Sequence, residues 1–283
     1  SSTATPELDS SLLLAHVLGC QKNELLLRAE NKVSAEDTAA FAKLLFKRAD
    51  GMPVAYLTGR KDFWKSTFEV SPAVLIPKPD TELLVELAAK LVEERAHAQP
   101  GTLNIADVCT GSGCIGISVF QVALDLHINP ADMKFVLSDI SKGALDIAQK
   151  NARSILGENA QNISFVQGDL LEPFLAGTKA PQHFDIILSN PPYVPSSVTD
   201  ELLLDGRSEP RLALDGGKDG LDIIRRLIPE VWQALNKNGI LLIETGEYNA
   251  AQTAALLKEA GFADVQTFDD LGGQPRVTQA RKP

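Results

Sequence analysis

The sequence predicts a three-layer α/β domain of about two hundred residues, preceded by a small helical domain. Three observations carry this expectation. After Pro100-Gly101, short apolar runs alternate with stretches of helical periodicity. The runs are continuous rather than alternating, as strands covered on both faces of a parallel sheet require. Ahead of residue 60, apolar residues recur at helical spacing and no strand pattern intervenes.

From Glu7 to Asp50, Leu8, Leu12, Ala15 and Leu18 form one stripe, and Leu25, Leu26 and Leu27 a second. Ala40, Leu44 and Phe46 mark a third, behind Ser34 as N-cap. Helices this short are unstable alone, so residues 1–60 read as a bundle. Gly51-Met52-Pro53 breaks the pattern. Residues 61–70 then alternate, with Phe63, Trp64, Phe68 and Val70, as a hairpin does. In Ile76-Pro77-Lys78-Pro79-Asp80-Thr81-Glu82 the prolines impose an extended backbone. Asp80 or Thr81 is placed to cap the helix that begins at Leu83-Leu84-Val85. Residues 61–80 thus read as hairpin and linker, and 81–283 as the main domain. Its strands are expected at 103–108, 135–137, 163–166, 184–188 and 240–243, with helices near 115–124, 144–155 and 221–235 between them. A helix at 250–260 and strands at 263–268 and 276–279 close the chain.

Acids outnumber bases, 37 to 27, for a net charge of −10. A protein that grips nucleic acid neutralises phosphate with Lys and Arg, so stable nucleic-acid binding is not expected. No apolar run reaches the roughly 18–20 residues of a membrane span. Residues Ser1 to Pro6 show neither a basic region nor an apolar core, and three cysteines imply no disulfide framework, so a cytoplasmic location is expected. Cys20, Cys109 and Cys114, with the scattered His16, His97, His127 and His183, lack metal-ligand spacing, and no metal is expected.

The first strand ends in Asp107-Val108-Cys109-Thr110-Gly111-Ser112-Gly113-Cys114-Ile115-Gly116. Glycines at a strand-to-helix turn let the backbone approach a ligand and leave helix N-terminal amides free to donate. The same run also serves as an ordinary tight turn. Asp107 is placed beside a bound cation, which suits the amino group of an amino acid better than a diphosphate. Asp139, ending the second strand, can accept from both hydroxyls of a ribose, and Asp169, after the third, is placed at an adenine edge. Together the three acids point to a nucleoside carrying a methionine-like tail.

After the fourth strand comes Asn190-Pro191-Pro192-Tyr193. The prolines hold the backbone extended and remove amide donors, which leaves carbonyls facing the cleft. Asn190 adds a side-chain acceptor and Tyr193 a flat aromatic face. Such a site suits a planar NH2 group: fixed acceptors for both N–H bonds raise electron density on a poorly nucleophilic nitrogen in the transition state. In-line positioning against an activated methyl does much of the rest.

These residues resemble the HemK/PrmC-type protein-(glutamine-N5) methyltransferases, which act on peptide chain release factors. The likeness spans nearly the whole chain. It rests on residues 51–59 (Gly-Met-Pro-Val-Ala-Tyr-Leu-Thr-Gly), on the stretch from Leu75 to Glu82, on the Gly-rich turn and on Asn190-Pro191-Pro192-Tyr193. Residues 213–221 (Ala-Leu-Asp-Gly-Gly-Lys-Asp-Gly-Leu) and Arg276-Val277-Thr278 extend it. The resemblance implies a Rossmann-like class I methyltransferase domain: a seven-stranded mixed sheet with helices on both faces and a reversed last hairpin. It implies that residues 1–60 recognise the release factor, and that S-adenosyl-L-methionine is the methyl donor. Cys109, Thr110, Gly111, Ser112 and Gly113 would cradle its methionine part beside Asp107. Asp139 would bind the ribose, and Asp169 with Leu170 the adenine. Asn190 would border donor and substrate alike. Asn190 and the Pro191 carbonyl would hold the glutamine amide of a Gly-Gly-Gln motif, with Pro192 beside it and Tyr193 against its plane.

The chain departs from the family pattern at Cys109, where glycine is usual, at Lys78, where arginine is usual, and at Thr245, where an aliphatic residue is usual. Asn-Pro-Pro-Tyr is shared with adenine-N6 methyltransferases, so methylation of nucleic acid is the alternative; it calls for a basic groove that the composition does not offer. A non-enzymatic scaffold would be expected to have lost some of the acid set or the Asn-Pro-Pro-Tyr run. Residues 194–220 are expected to form a long acidic loop that touches the protein substrate. Gly272-Gly273-Gln274 echoes the substrate motif in a C-terminal loop and is read as coincidence.

Overall fold

The computed structural model describes residues 5–98, 101–177, 183–204 and 208–283. The chain opens with α1 (Pro6–Val17), α2 (Glu24–Leu27), α3 (Ala35–Ala49) and α4 (Val54–Thr58). Ser34 caps α3 as expected, its hydroxyl accepting from the Asp37 amide at 3.0 Å. Arg48 of α3 donates to the buried Asp9 of α1 at 2.8 Å. The stripe expected through Ala40, Leu44 and Phe46 does not hold. Phe46 lies about 200° around the helix from Leu44 and points outward, 74% exposed. The tip of α2 is likewise apolar and open, with Leu26 and Leu27 both exposed.

β1 (Arg60–Phe63) and β2 (Ser66–Glu69) form the expected antiparallel hairpin. Phe63 and Phe68 meet edge to face and enter the principal apolar cluster, so the hairpin is anchored in the main core. Neither Asp80 nor Thr81 caps a helix. Pro79–Thr81 forms a 3-10 turn that runs straight into α5 (Glu82–Ala98), which frees both side chains for contacts elsewhere.

The sheet comprises β3 (Leu103–Val108), β4 (Met133–Asp139), β5 (Ile163–Gln167), β6 (Phe184–Ser189), β7 (Leu235–Glu244), β8 (Ala263–Asp269) and β9 (Pro275–Arg281). Their order is β5-β4-β3-β6-β7-β9-β8; the first five run parallel, and β9 lies antiparallel to both β7 and β8. The strands are interleaved with α6 (Cys114–Asp125), α7 (Lys142–Leu156), α8 (Glu172–Leu175), α9 (Ser196–Leu204), α10 (Asp222–Ala234) and α11 (Ala250–Glu259).

The two-residue period of a strand divides the core between the two faces of the sheet. Ile105, Leu137, Ile186 and Leu242 pack with α5 and α6, while Ala106, Val136, Ile187 and Leu241 pack with α10 and α11. Asp107 falls in register with Ile105 and is therefore directed at α6. Over its described residues, the stretch from Val194 to Gly220 is more ordered than a loop. It contains α9, a 3-10 turn at Arg211–Ala213 and a bridge pairing Val194 with Asp215.

Candidate active site

Between β3 and β6 the strand order reverses, and a crevice at the carboxyl ends of parallel strands is where ligands of such sheets bind. A cavity of about 340 Å³ opens there. Ser189 ties the two strands together, its hydroxyl donating to the Val108 carbonyl at 2.8 Å.

The turn after β3 carries three positive φ angles, 62° at Cys109, 56° at Gly111 and 81° at Gly113. Cys109 thus adopts a left-handed conformation that favours glycine, at a cost of about 1 kcal/mol for a residue with a Cβ. Cys109→Gly is expected to raise stability by about that much, read as the shift in urea midpoint at constant slope. The turn is pinned to β4, with the Thr110 amide donating to the Ser138 carbonyl at 3.0 Å and the Gly111 amide to Asp139 Oδ2 at 2.9 Å. Asn151 of α7 braces it from outside, donating to the Ser112 and Glu69 carbonyls and accepting from the Glu69 amide.

Thr110, Gly111, Ser112, Asp139, Asp169, Leu170, Asn190 and Pro192 line the cavity with Cys109. Asp139 keeps lone pairs free beyond its bonds from the Gly111 and Ser141 amides. Burial pushes its carboxyl up, against the pull of those amides. Asp169 is held by Arg226 of α10 at 2.6 Å.

Asp107 is placed differently from the expectation. It has no exposed surface and sits beneath the turn, its Oδ2 accepting from the Thr110 hydroxyl at 2.6 Å and the Gly116 amide at 3.0 Å. Its Oδ1 is buried without a partner. Burial pushes this carboxyl up to about 7, against the Thr110 and Gly116 hydrogen bonds. An unfolded aspartate titrates near pH 4, so between about 4 and 7 the folded chain holds a proton that the unfolded chain has lost. Stability from this group therefore falls as pH rises through that window. Asp107→Asn is expected to remove the loss and to stabilise the ligand-free protein at pH 8 by up to a few kcal/mol. Near pH 4 it should do little, as urea unfolding at the two pH values would show.

Pro191 is buried and off the cavity wall, and Tyr193 is turned inward. Its hydroxyl donates to Glu244 Oε1 at 3.2 Å, and burial with the neighbouring Glu244 pushes the phenol far up, so it stays protonated. The expected flat face toward a substrate is in part an internal contact, because Glu244 at the end of β7 claims the hydroxyl. Asn190 Nδ2 donates to Thr81 Oγ1 at 3.3 Å.

Sequence reasoning gave no role to Thr81, Glu244, Arg276, Arg226 or Glu209. Thr81, Glu244, Arg226 and Glu209 meet their partners across 50 or more residues of chain. Arg276, though paired locally with Asp270, reaches Asp80 from the other end of the chain; a motif scan sees only neighbours. Glu209 shows what was hidden: it is buried, and it accepts from Lys78 Nζ at 2.7 Å and from the Ile76 amide at 3.3 Å. This pair fastens the segment before Pro210 to the prolyl segment across the cavity mouth. Lys78→Met would leave the Glu209 carboxylate buried without its cation. A loss of about 1–2 kcal/mol is expected, less than for a fully buried pair because Lys78 is 40% exposed. Lys78→Arg should recover most of it in the same thermal unfolding measurement.

Together, the reversed last hairpin, the crevice between β3 and β6 and the Asn-Pro-Pro-Tyr corner define a Rossmann-like methyltransferase. A methyltransferase domain family matches residues 101–271, and the PrmC N-terminal domain family matches residues 1–59. The N-terminal domain of human METTL16, solved in complex with SAH, shares the fold at a TM-score of 0.52 and 15% identity, over 76% of this chain and 75% of that one. The release factor glutamine methyltransferase of Koribacter versatilis is 35% identical over all of this chain and 94% of its own length. That of Bradyrhizobium diazoefficiens is 38% identical over 98% of this chain and 88% of its own. The chain belongs to the release factor glutamine methyltransferase family.

Proposed function

We propose that this protein transfers the methyl group of S-adenosyl-L-methionine to the side-chain amide nitrogen of the glutamine in the Gly-Gly-Gln motif of peptide chain release factors. The observation that carries the reading is the placement of Asn190. Its side chain borders the same cavity as Gly111 and Asp139, with its Nδ2 engaged and its Oδ1 left to accept.

The residues present fit the methyl donor. The cavity volume lies within the range of small-molecule sites, roughly 300–1,000 Å³. The left-handed turn from Cys109 to Gly113 holds the methionine part, with Asp107 lending negative potential from below through Thr110. The free lone pairs of Asp139 take the ribose hydroxyls, and Asp169 and Leu170 flank the adenine. When bound, the donor supplies an already activated sulfonium methyl. Asn190 Oδ1 accepts one N–H bond of the glutamine amide; the other is left to the Pro191 carbonyl, whose residue lies off the wall of the donor cavity and would meet only the substrate. This turns the nitrogen lone pair toward the methyl and stabilises the charge that develops on nitrogen. Tyr193, locked by Glu244, fixes the edge of the slot. No general base is needed, since the proton leaves for solvent after transfer.

Residues 1–60 act in this reading as the domain that holds the release factor, with the exposed Leu26, Leu27 and Phe46 as apolar anchors. The tie from the Tyr56 hydroxyl to the Val74 carbonyl at 2.6 Å links that domain to the cavity wall. No helix of the described residues is long and apolar enough to cross a membrane; a translation factor as substrate supports a cytoplasmic reaction in this reading.

The test is transfer of a labelled methyl group to a purified release factor, compared with a release factor lacking that glutamine and with DNA. Label confined to the unsubstituted release factor supports the reading. Label on DNA would replace it with adenine methylation.

A further inference from the structure

We propose that Thr81 and Glu244 are positioning residues: through a one-way hydrogen-bond chain they dictate which way round the Asn190 amide sits. The inference rests on the reading of Asn190 as the substrate clamp. A primary amide is nearly symmetric in shape, so packing alone does not distinguish its oxygen from its nitrogen; only hydrogen-bond partners do. A reversed Asn190 would point an NH2 group at the NH2 group of the substrate, and the acceptor would be lost.

Each link of the chain has one polarity. Glu244 and Thr81 are almost completely buried, 1% and 2% exposed, so water cannot replace a missing partner. An ionised carboxylate only accepts. The Tyr193 hydroxyl donates to Glu244 Oε1 at 3.2 Å, while Oε2 is buried with no hydrogen-bond partner; the Thr81 hydroxyl lies beside the carboxyl and is the donor we assign to that orphaned oxygen. A threonine hydroxyl has a single proton. Once that proton faces Glu244, Thr81 Oγ1 presents only lone pairs to Asn190, and the amide must answer with its Nδ2, 3.3 Å away. Oδ1 is thereby turned to the cavity. Glu244 thus orients both side chains of the Asn-Pro-Pro-Tyr corner, Tyr193 directly and Asn190 through Thr81.

Protonation of Glu244 would break the polarity, because a carboxylic acid can donate to Thr81 and let its proton swing to Asn190. The groups facing Glu244 are Thr81 and Asp80 from the turn before α5, Tyr193 after β6, Arg276 from β9 and Cys114 from α6. Burial pushes the carboxyl up to about 7, while Thr81, Arg276 and Tyr193 hold it down. The clamp is set correctly above that pH and loosens as pH falls through it.

The experiment is steady-state methylation of a release factor by the full chain across pH 5.5 to 9, with methyl-donor affinity measured separately by calorimetry. Thr81→Val should lower kcat roughly 10- to 100-fold with donor affinity unchanged, and Thr81→Ser should restore it to within a few-fold. Glu244→Gln, which has the same shape and cannot ionise, should lose the acid limb of the kcat profile that the unsubstituted enzyme shows near pH 7. Wild-type kcat in Thr81→Val, equal damage in Thr81→Ser, or an unchanged acid limb in Glu244→Gln would each overturn the inference. Absence of transfer by the unsubstituted enzyme would instead sink the functional reading on which it rests.

Discussion

Asn190→Ala is expected to lower kcat for methyl transfer by about 10²–10³-fold while the methyl donor still binds. The donor is held mainly by the turn from Cys109 to Gly113, by Asp139 and by the Asp169–Leu170 corner, none of which touches the Asn190 side chain through a hydrogen bond. The loss therefore belongs to the transition state, where the amide nitrogen turns cationic and its hydrogens press hardest on their acceptors. Removing Asn190 Oδ1 leaves one of the two without a fixed partner. A fall in kcat with little change in donor affinity is the expected signature. A variant that lost donor binding in proportion would show that Asn190 shapes the cavity and does not clamp the substrate.

Much of this architecture was legible in the residues because it rests on local rules. Continuous apolar runs gave the parallel strands, since β3 to β7 are covered on both faces. Ser34 announced α3 by its own hydroxyl. The turn at 109–113 and the Asn-Pro-Pro-Tyr corner were visible for the same reason: their chemistry is carried by residues adjacent in the chain. What escaped was set by contacts distant in sequence. Asp80 and Thr81 sit where a cap would, but the 3-10 turn at Pro79–Thr81 leaves them free, and Arg276 and Asn190 claim them. Tyr193 was read for its aromatic face, while Glu244, 51 residues on, decides where its hydroxyl goes. The acidic loop was read from composition alone, which does not register a buried anchor such as Thr199 in α9 or Glu209 against Lys78.

The Asn-Pro-Pro-Tyr corner is also held from behind, and there Gly220→Ala is expected to be severe. Gly220 has φ +79°, and a Cβ built on it would stand 2.3 Å from the Tyr193 carbonyl oxygen and 3.0 Å from Asn249 Nδ2. The carbonyl cannot simply retreat. Asn249 Nδ2 grips it at 3.1 Å, and Gly216 packs so close that its own Cβ would be 2.7 Å from the Gly220 oxygen and 2.8 Å from both the Pro192 oxygen and Tyr193 Cα. Relief must move the Pro192–Tyr193 backbone by about 1 Å, and a displacement of that size at a reacting centre costs on the order of 10²-fold in rate. Backbone strain and overpacking together should lower stability by about 2–4 kcal/mol.

Gly273→Ala separates the two causes. Gly273 has nearly the same φ, +76°, yet nothing lies within 4 Å of its Cβ position. It should lose only the conformational part, about 1 kcal/mol, and keep the wild-type kcat. Equal kcat in the two variants would mean that the Pro192–Tyr193 backbone yields without consequence. A deficit confined to Gly220→Ala, with methyl-donor affinity preserved, would place the acceptor geometry of the corner under the control of a glycine that meets no ligand.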